Sequence, residues 1–337
     1  MNIERYSRQR LFSPIGDIGQ ERIGNCSILV VGVGALGTVL SNHLVRAGIG
    51  KLRIVDRDYV EYSNLQRQML FDEDDVEKAL PKAVAAKQKL KKINSEVHIE
   101  AFVENVTNNN INKFIDGIDI VLDGTDNFST RFLLNDICYK RVLPFSYGGV
   151  VGSRGMSAFF IPNETPCLRC LTKEEAESGQ TCDTVGVIAP AVDIVSSMQV
   201  TEVFKYITGN KAHLRNTLQT YDIWYNQQYE MKFPSPDPKC PTCQHAIYPS
   251  LQRKATENET VLCGRNTVQI HQKSNMDLKK SEKKLARVAK TQLTPFLLKV
   301  QFNNEINFVI FPDGRVLIQG TEDTTKARNW YDRYIGS

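Results

Sequence analysis

The sequence predicts a doubly wound α/β domain on a mainly parallel sheet, followed by a small α+β domain. Three observations carry this. A glycine-rich loop joins an apolar run to a helical pattern near residue 32. Strand and helix patterns then alternate as far as Tyr147. A second group of strand patterns follows residue 260, and 337 residues are enough for two domains.

The elements follow in order. Ser27 to Val31 is an apolar run ending at Gly32, the signature of a parallel strand buried on both faces. Gly34 to Ala47 reads as a helix and Lys51 to Asp56 as a second strand. Pro81 suits the first turn of a helix reaching about Ile93. Val97 to Phe102 and Ile118 to Asp123 are further strands, Asn127 to Lys140 a helix, and Leu143 to Tyr147 a strand. Beyond Gly148 come strand-like pieces, a polar stretch from Thr172 to Gly186, and an apolar helix from Ala189 to Ile207. Prolines 234, 236, 238 and 241 mark a loop. Residues 1–249 form the expected first domain, 250–260 a polar linker, and 261–337 the tail domain. In the tail, Thr267 to His271, Phe296 to Phe302, Ile306 to Phe311 and Arg315 to Gln319 read as strands. Asp277 to Ala289 and Asp323 to Tyr334 read as helices, with turns at Asn303-Asn304 and Asp313-Gly314.

Composition narrows the class. No apolar run approaches the ~20 residues of a membrane span, and the polar start lacks a secretory signal, so a cytoplasmic, membrane-free protein is expected. The tail from residue 250 holds 15 Lys/Arg against 9 Asp/Glu. That surplus reads as a solvated basic face, with no pattern for nucleic-acid readout.

Gly32-Val33-Gly34-Ala35-Leu36-Gly37 is a G-x-G-x-x-G loop between strand and helix. Such glycines let a nucleotide approach the free N–H groups of a helix N-terminus. Asp56, at the end of the second strand, is placed to accept from ribose hydroxyls. These features alone fit an NAD-dependent dehydrogenase as well as an ATP user. The residues that follow shift the balance: Asp58, then Ser63, Asn64, Leu65, Gln66 and Arg67, then Lys82, then Asp126 with Asn127. Two cations and an isolated carboxylate suit a triphosphate with Mg²⁺, whereas hydride transfer needs no such charge.

Cysteine spacing adds a metal site. Cys167-x-x-Cys170 and Cys240-x-x-Cys243 each offer two thiolates from one tight loop, and together predict a tetrahedral four-cysteine zinc site. With four protein ligands no position is left for water, so the role is structural. Cys26, Cys138 and Cys263 are single and read as small hydrophobes.

On these residues the chain resembles the MoeB/ThiF family of sulfur-carrier adenylyltransferases, relatives of the ubiquitin-activating enzymes. Matching stretches are Arg5 to Gln9, the glycine loop, Asp56, Ser63 to Gln68, Pro81-Lys82, Thr125 to Asn127, both cysteine pairs, Thr181-Cys182 and Gly186 to Pro190. The resemblance covers residues 1 to about 245 and implies a Rossmann-like adenylation domain. It further implies ATP-dependent adenylylation of the C-terminal glycine of a ubiquitin-like carrier ending in Gly-Gly. Gly32, Gly34 and Gly37 would cradle the nucleotide, Asp56 hold the ribose, Ser63 to Arg67 and Lys82 line the phosphates, and Asp126 hold Mg²⁺ beside Asn127. Arg8 would reach the phosphates of the other subunit in a homodimer. Cys182 is linked in the family with a covalent intermediate, and a loop thiol without a duty is the alternative. The tail is shorter than the rhodanese domain of some relatives, so a separate sulfur donor protein is expected. Molybdopterin-type and thiazole-type carriers both suit the site, and the reading leans to the first. The alternatives kept open are a relative acting on tRNA, an NAD-dependent dehydrogenase and a scaffold subunit.

Overall fold

The computed structural model describes residues 4–172, 185–253, 259–262, 266–272, 275–302 and 306–336. Residues 1–253 and 254–337 form two compact units. No helix among the described residues is long and apolar enough to cross a membrane.

The first unit opens with α1 (Ser7–Leu11) and α2 (Gly16–Asn25), then β1 (Ser27–Val31), α3 (Ala35–Ala47) and β2 (Lys51–Val55). After the short α4 (Glu73–Glu77) come α5 (Lys82–Ile93), β3 (His98–Phe102), α6 (Ile111–Ile115), β4 (Ile120–Asp123) and α7 (Phe128–Arg141). Strands β5 (Phe145–Val151) and β6 (Arg154–Phe160) precede α8 (Leu168–Leu171) and α9 (Ala189–Ile207). Strands β7 (Thr217–Asp222) and β8 (Gln227–Lys232), with α10 (Pro249–Gln252), complete it.

The strands form one sheet in the order β3-β2-β1-β4-β5-β6-β7-β8. The first five are parallel and the rest antiparallel. Alternation along the strands explains the burial of both faces. Ile28, Val30, Leu52, Ile54, Ile120 and Leu122 pack in a core with residues of α3, α5 and α9. Leu29, Val31, Val55 and Val121 belong to the opposite core, with residues of α6 and α7. Strands sandwiched this way have no wet face, so they read as unbroken apolar runs. The chain order reverses between β1 and β4, and ligands bind outside the carboxyl ends of strands at such a point.

The second unit is a six-stranded antiparallel sheet in the order β11-β12-β13-β14-β10-β9. Its strands are β9 (Glu259–Leu262), β10 (Thr267–His271), β11 (Lys290–Leu293), β12 (Leu298–Gln301), β13 (Asn307–Ile310) and β14 (Arg315–Gln319). Even-numbered residues Val268, Ile270, Val300, Phe308, Ile310, Val316 and Ile318 share a core with α11 (Leu278–Leu285) and α12 (Thr324–Tyr334).

The structure differs from the sequence expectation in local ways. The stretch expected as linker carries a helical turn at Pro249–Gln252 and the strand β9. β11 is not legible in the sequence, because Lys-Thr-Gln-Leu carries one apolar residue and supplies no alternating apolar face. Helices α1 and α2 are too polar and short for a clear period. The Asn303-Asn304 turn lies outside the described residues.

Candidate active site

The glycine loop sits at the reversal point. Gly32 leaves β1 with φ of 84°, and its N–H donates to Val55 O at 2.9 Å. A Cβ on Gly32 would lie 2.7 Å from Gly124 O, and one on Gly37 only 1.9 Å from Gly32 O. Both positions therefore require glycine for backbone contact. Gly34 differs: a Cβ there would meet only the Gln68 amide, 3.8 Å away. It is the N-cap of α3 and supplies no side-chain cap, so the first-turn N–H groups are left for a ligand. A bare helix N-terminus beside open space suits a phosphate.

Asp56, just past β2, fixes the loop. Its Oδ2 accepts from Val33 N at 2.6 Å and its Oδ1 from Asp58 N at 2.7 Å. Burial pushes the Asp56 carboxyl above its ordinary range, against the pull of Lys82 and these backbone donors. Lys82 begins α5, and its N–H donates to Asp58 O at 2.9 Å. Its Nζ lies 3.5 Å from Asp58 Oδ2, and the side chain is only 4% exposed. A lysine is almost never held so deeply unless its charge is paired, and Asp58 is that partner.

Between these residues the chain forms a single turn of 3₁₀ helix at Tyr62–Asn64. Asn64 is buried and its Oδ1 accepts from Glu61 N at 3.1 Å, while Leu65 packs against the core. Those two residues shape the turn. Ser63 and Gln66 are exposed, and Arg67 Nη1 donates to Ser63 O at 2.7 Å. Gln68 is buried, with no partner for its Oε1 among the described residues.

On the other side of the crevice, β4 ends at Asp123 and the chain exposes Asp126 and Asn127. Asn127 caps α7 by accepting from Thr130 N at 2.8 Å. Its Nδ2 also lies 3.5 Å from Asp126 Oδ1. Sequence reasoning missed Asp123 and Arg131, which are both buried and paired at 3.0 Å. A charged residue inside the Asn127 to Lys140 helix, eight positions from a strand-end carboxylate, was the available signal.

Arg8 is not brought to this crevice. Tyr6 packs over Gly48 at the far end of α3, and its hydroxyl accepts from Asn94 Nδ2 at 2.8 Å. Gln9 Nε2 donates to Ala47 O at 3.1 Å, at that same end. Arg8 itself is exposed. Cys182 lies outside the described residues, as does Cys263.

The cysteine pairs do converge. The four sulfurs of Cys167, Cys170, Cys240 and Cys243 lie within 4.8 Å of one another. Cys167 Sγ is 3.5 Å from Cys240 Sγ, and Cys170 Sγ is 3.4 Å from Cys243 Sγ. Thiolates about 2.3 Å from a tetrahedral ion sit about 3.8 Å apart, so the set fits one metal. Asp136 of α7, fully buried, ties the two loops together. It accepts from Arg169 Nε and Nη2 at 2.9 Å each and from Thr242 Oγ1 at 2.8 Å. It also accepts from Ser250 N at 2.8 Å. Cys26 and Cys138 are buried, and burial pushes Cys26 up to about 12, which keeps it unreactive. His245 is exposed beside the cluster, its Nε2 3.0 Å from Pro238 O.

Residues 6–242 match the ThiF family. Over 336 residues the chain is 42% identical to the sulfur carrier protein ThiS adenylyltransferase of Bacillus subtilis, covering 98% of this chain and 99% of that protein. It is 35% identical over 252 residues to the SAMP-activating enzyme E1 of Haloferax volcanii, covering 74% of this chain and 92% of that one. Among solved structures, Escherichia coli MccB crystallised with ATP superposes with a TM-score of 0.62 at 24% identity. That match covers 72% of this chain and 75% of MccB, and it speaks for the fold alone.

Proposed function

The chain belongs to the ThiF family, and from that premise we propose that it adenylylates the C-terminal carboxylate of a ubiquitin-like sulfur carrier of the ThiS type. A carboxylate oxygen attacks the α-phosphorus of ATP, a new O–P bond forms, and the bond to the β-phosphate oxygen breaks as pyrophosphate leaves. A terminal carboxylate is already ionised at neutral pH, so the step needs no general base. It needs positive charge where phosphate oxygens gain negative charge. The observation that carries the reading is Lys82, buried beside Asp58 at the mouth of a glycine loop that leaves a helix N-terminus uncapped.

Each residue then has a role. The α3 N-terminus and Gly34 hold phosphate, and Lys82 and Arg67 offset its charge. Asp56 holds ribose: each of its oxygens accepts one backbone N–H, and a carboxylate oxygen has a second lone pair to accept a hydroxyl. Asp126 holds Mg²⁺, which neutralises phosphate charge when bound. Arg8 serves the site of the partner subunit in a homodimer, because it is anchored at the wrong end of α3 to serve its own. The four-cysteine cluster holds zinc, the metal that four thiolates in a closed tetrahedron favour.

The ThiS type is preferred to the molybdopterin type because the identity to the Bacillus subtilis relative runs through the tail as well. Sulfur is proposed to come from a separate donor, with Cys182 acting after adenylation. ATP–pyrophosphate exchange that appears only with the carrier and Mg²⁺ tests this function.

A further inference from the structure

The strand end that feeds the Asp126 loop is gripped from both faces of the sheet. On the α7 side, Arg131 Nε donates to Asp123 Oδ2 at 3.0 Å. Its Nη2 donates to Thr125 O at 2.8 Å and to Gly148 O at 3.2 Å. On the α9 side, Gln199 Nε2 donates to the main-chain oxygens of Asp123 at 3.0 Å and Ser146 at 3.1 Å. Asp123 Oδ1 in turn accepts from Thr125 N at 2.8 Å and Thr125 Oγ1 at 2.7 Å. Residues 123 and 125 are thus fixed through main chain and side chain, and the next residue is Asp126.

These contacts exceed what packing alone requires. α7 already has its Asn127 cap and an apolar face that includes Phe132, Leu134 and Ile137. The hydrogen bonds of Arg131 go instead to Asp123 at the end of β4, to Thr125 just beyond it and to Gly148 in the middle of β5. A buried ion pair is often no better for stability than well-packed apolar residues of the same volume. Gln199 Oε1 is buried with no partner among the described residues. Gly148 sits so close that a Cβ there would lie 2.2 Å from it. An orphaned buried acceptor costs stability, and such costs persist where position matters more than stability.

We propose that Arg131, with Asp123 and Gln199, positions Asp126: the three hold the loop so that the Asp126 carboxylate meets nucleotide-bound Mg²⁺, without themselves touching the nucleotide. This rests on the reading that Asp126 holds that ion. Arg131 is close enough to Asp126 for their charges to interact. Arg131 pairs directly with Asp123 at 3.0 Å.

The test is calorimetric binding of α,β-methylene-ATP to the full chain, with and without Mg²⁺, alongside thermal melting. Arg131→Lys keeps the charge but cannot reproduce the three-bonded planar grip. Ile137→Ala, buried elsewhere on α7, provides a loss of stability that leaves the loop alone. Arg131→Lys should weaken Mg²⁺-dependent binding about tenfold or more while leaving Mg²⁺-free binding within about twofold. Ile137→Ala should leave both within about twofold of wild type despite its lower melting temperature. Should Arg131→Lys not fold, Thr125→Ala, which removes a donor to Asp123, should move Mg²⁺-dependent binding the same way. The proposal is overturned if the loop variant loses no more of its Mg²⁺-dependent binding than Ile137→Ala does. A wild-type protein whose binding gains nothing from Mg²⁺ would remove the Asp126 reading, and the positioning role with it.

Discussion

Arg8 offers the strongest geometric prediction, because its own chain places it where it cannot work. Helix α3 has 13 residues and so spans about 20 Å between the glycine loop and Gly48. Tyr6 and Gln9, on either side of Arg8, are both pinned at the Gly48 end. An extended arginine side chain reaches about 7 Å, roughly 13 Å short of the loop at the other end of the helix. The guanidinium must therefore serve a different subunit or none. The perturbation is to mix Arg8→Ala chains with Lys82→Ala chains and allow subunits to exchange. In a mixed dimer, the site on the Arg8→Ala chain keeps its own Lys82 and borrows Arg8 from its partner. The other site lacks both. With random exchange of equal amounts half the dimers are mixed, so exchange activity should recover to about a quarter of wild type. ATP–pyrophosphate exchange on the mixture, against each parent at equal chain concentration, reads the result. Activity that stays at the parental level after proven subunit exchange would refute the assignment in trans.

Other consequences follow from the same geometry. Asp126→Ala removes the group assigned to the metal and should cost about 3–4 kcal/mol of transition-state stabilisation, a few hundredfold in exchange rate. Near-normal exchange would remove that role. The purified protein should contain one zinc per chain, and Cys170→Ser should lose both the ion and folded stability, as read by metal analysis and melting. A well-folded, active protein without zinc would contradict the site. Glu100 supplies a pH test: burial raises its pKa, but hydrogen bonds from Arg53 and Lys51 outweigh that and bring it down to about 2. Because the folded value is the lower one, its stabilisation is present above the ordinary value of 4.5 and fades as pH falls from there towards 2. Glu100→Gln should cost on the order of 1–2 kcal/mol in urea unfolding at pH 7, after allowance for solvent screening, and much less near pH 3. A gap of the same size at both pH values would sink this account.

Much of the first unit was legible because its chemistry is local. The run Ser27 to Val31, the three glycines and the carboxylate at Asp56 each announce themselves within a few residues. Helix α9 matches the expected Ala189 to Ile207 because 19 residues give its apolar pattern room to show. The cysteine pairs were legible for a different reason: CxxC spacing is itself the geometry of a metal loop. What sequence could not show is how distant charges pair once buried. Asp123, Arg131, Asp136 and Arg169 each look like ordinary surface residues in the chain. Tertiary contact puts Arg131 on Asp123 and Arg169 on Asp136, and only there do they become structural hubs. The position of Arg8 is likewise invisible in sequence, because it depends on where Tyr6 and Gln9 dock. Edge strand β11 escaped notice because Lys-Thr-Gln-Leu holds one apolar residue, and β9 because it begins inside the polar stretch read as a linker.

The central claim is adenylylation of a carrier, and one measurement addresses it directly. Purified chain is incubated with ATP, Mg²⁺ and labelled pyrophosphate, with and without a ThiS-type carrier ending in Gly-Gly. A parallel sample uses the carrier with its last glycine removed. The account predicts label entering ATP only with the intact carrier and Mg²⁺, with Lys82→Ala reducing the rate by orders of magnitude. Exchange that proceeds equally without the carrier, or none with any Gly-Gly carrier while the chain binds ATP, would contradict it.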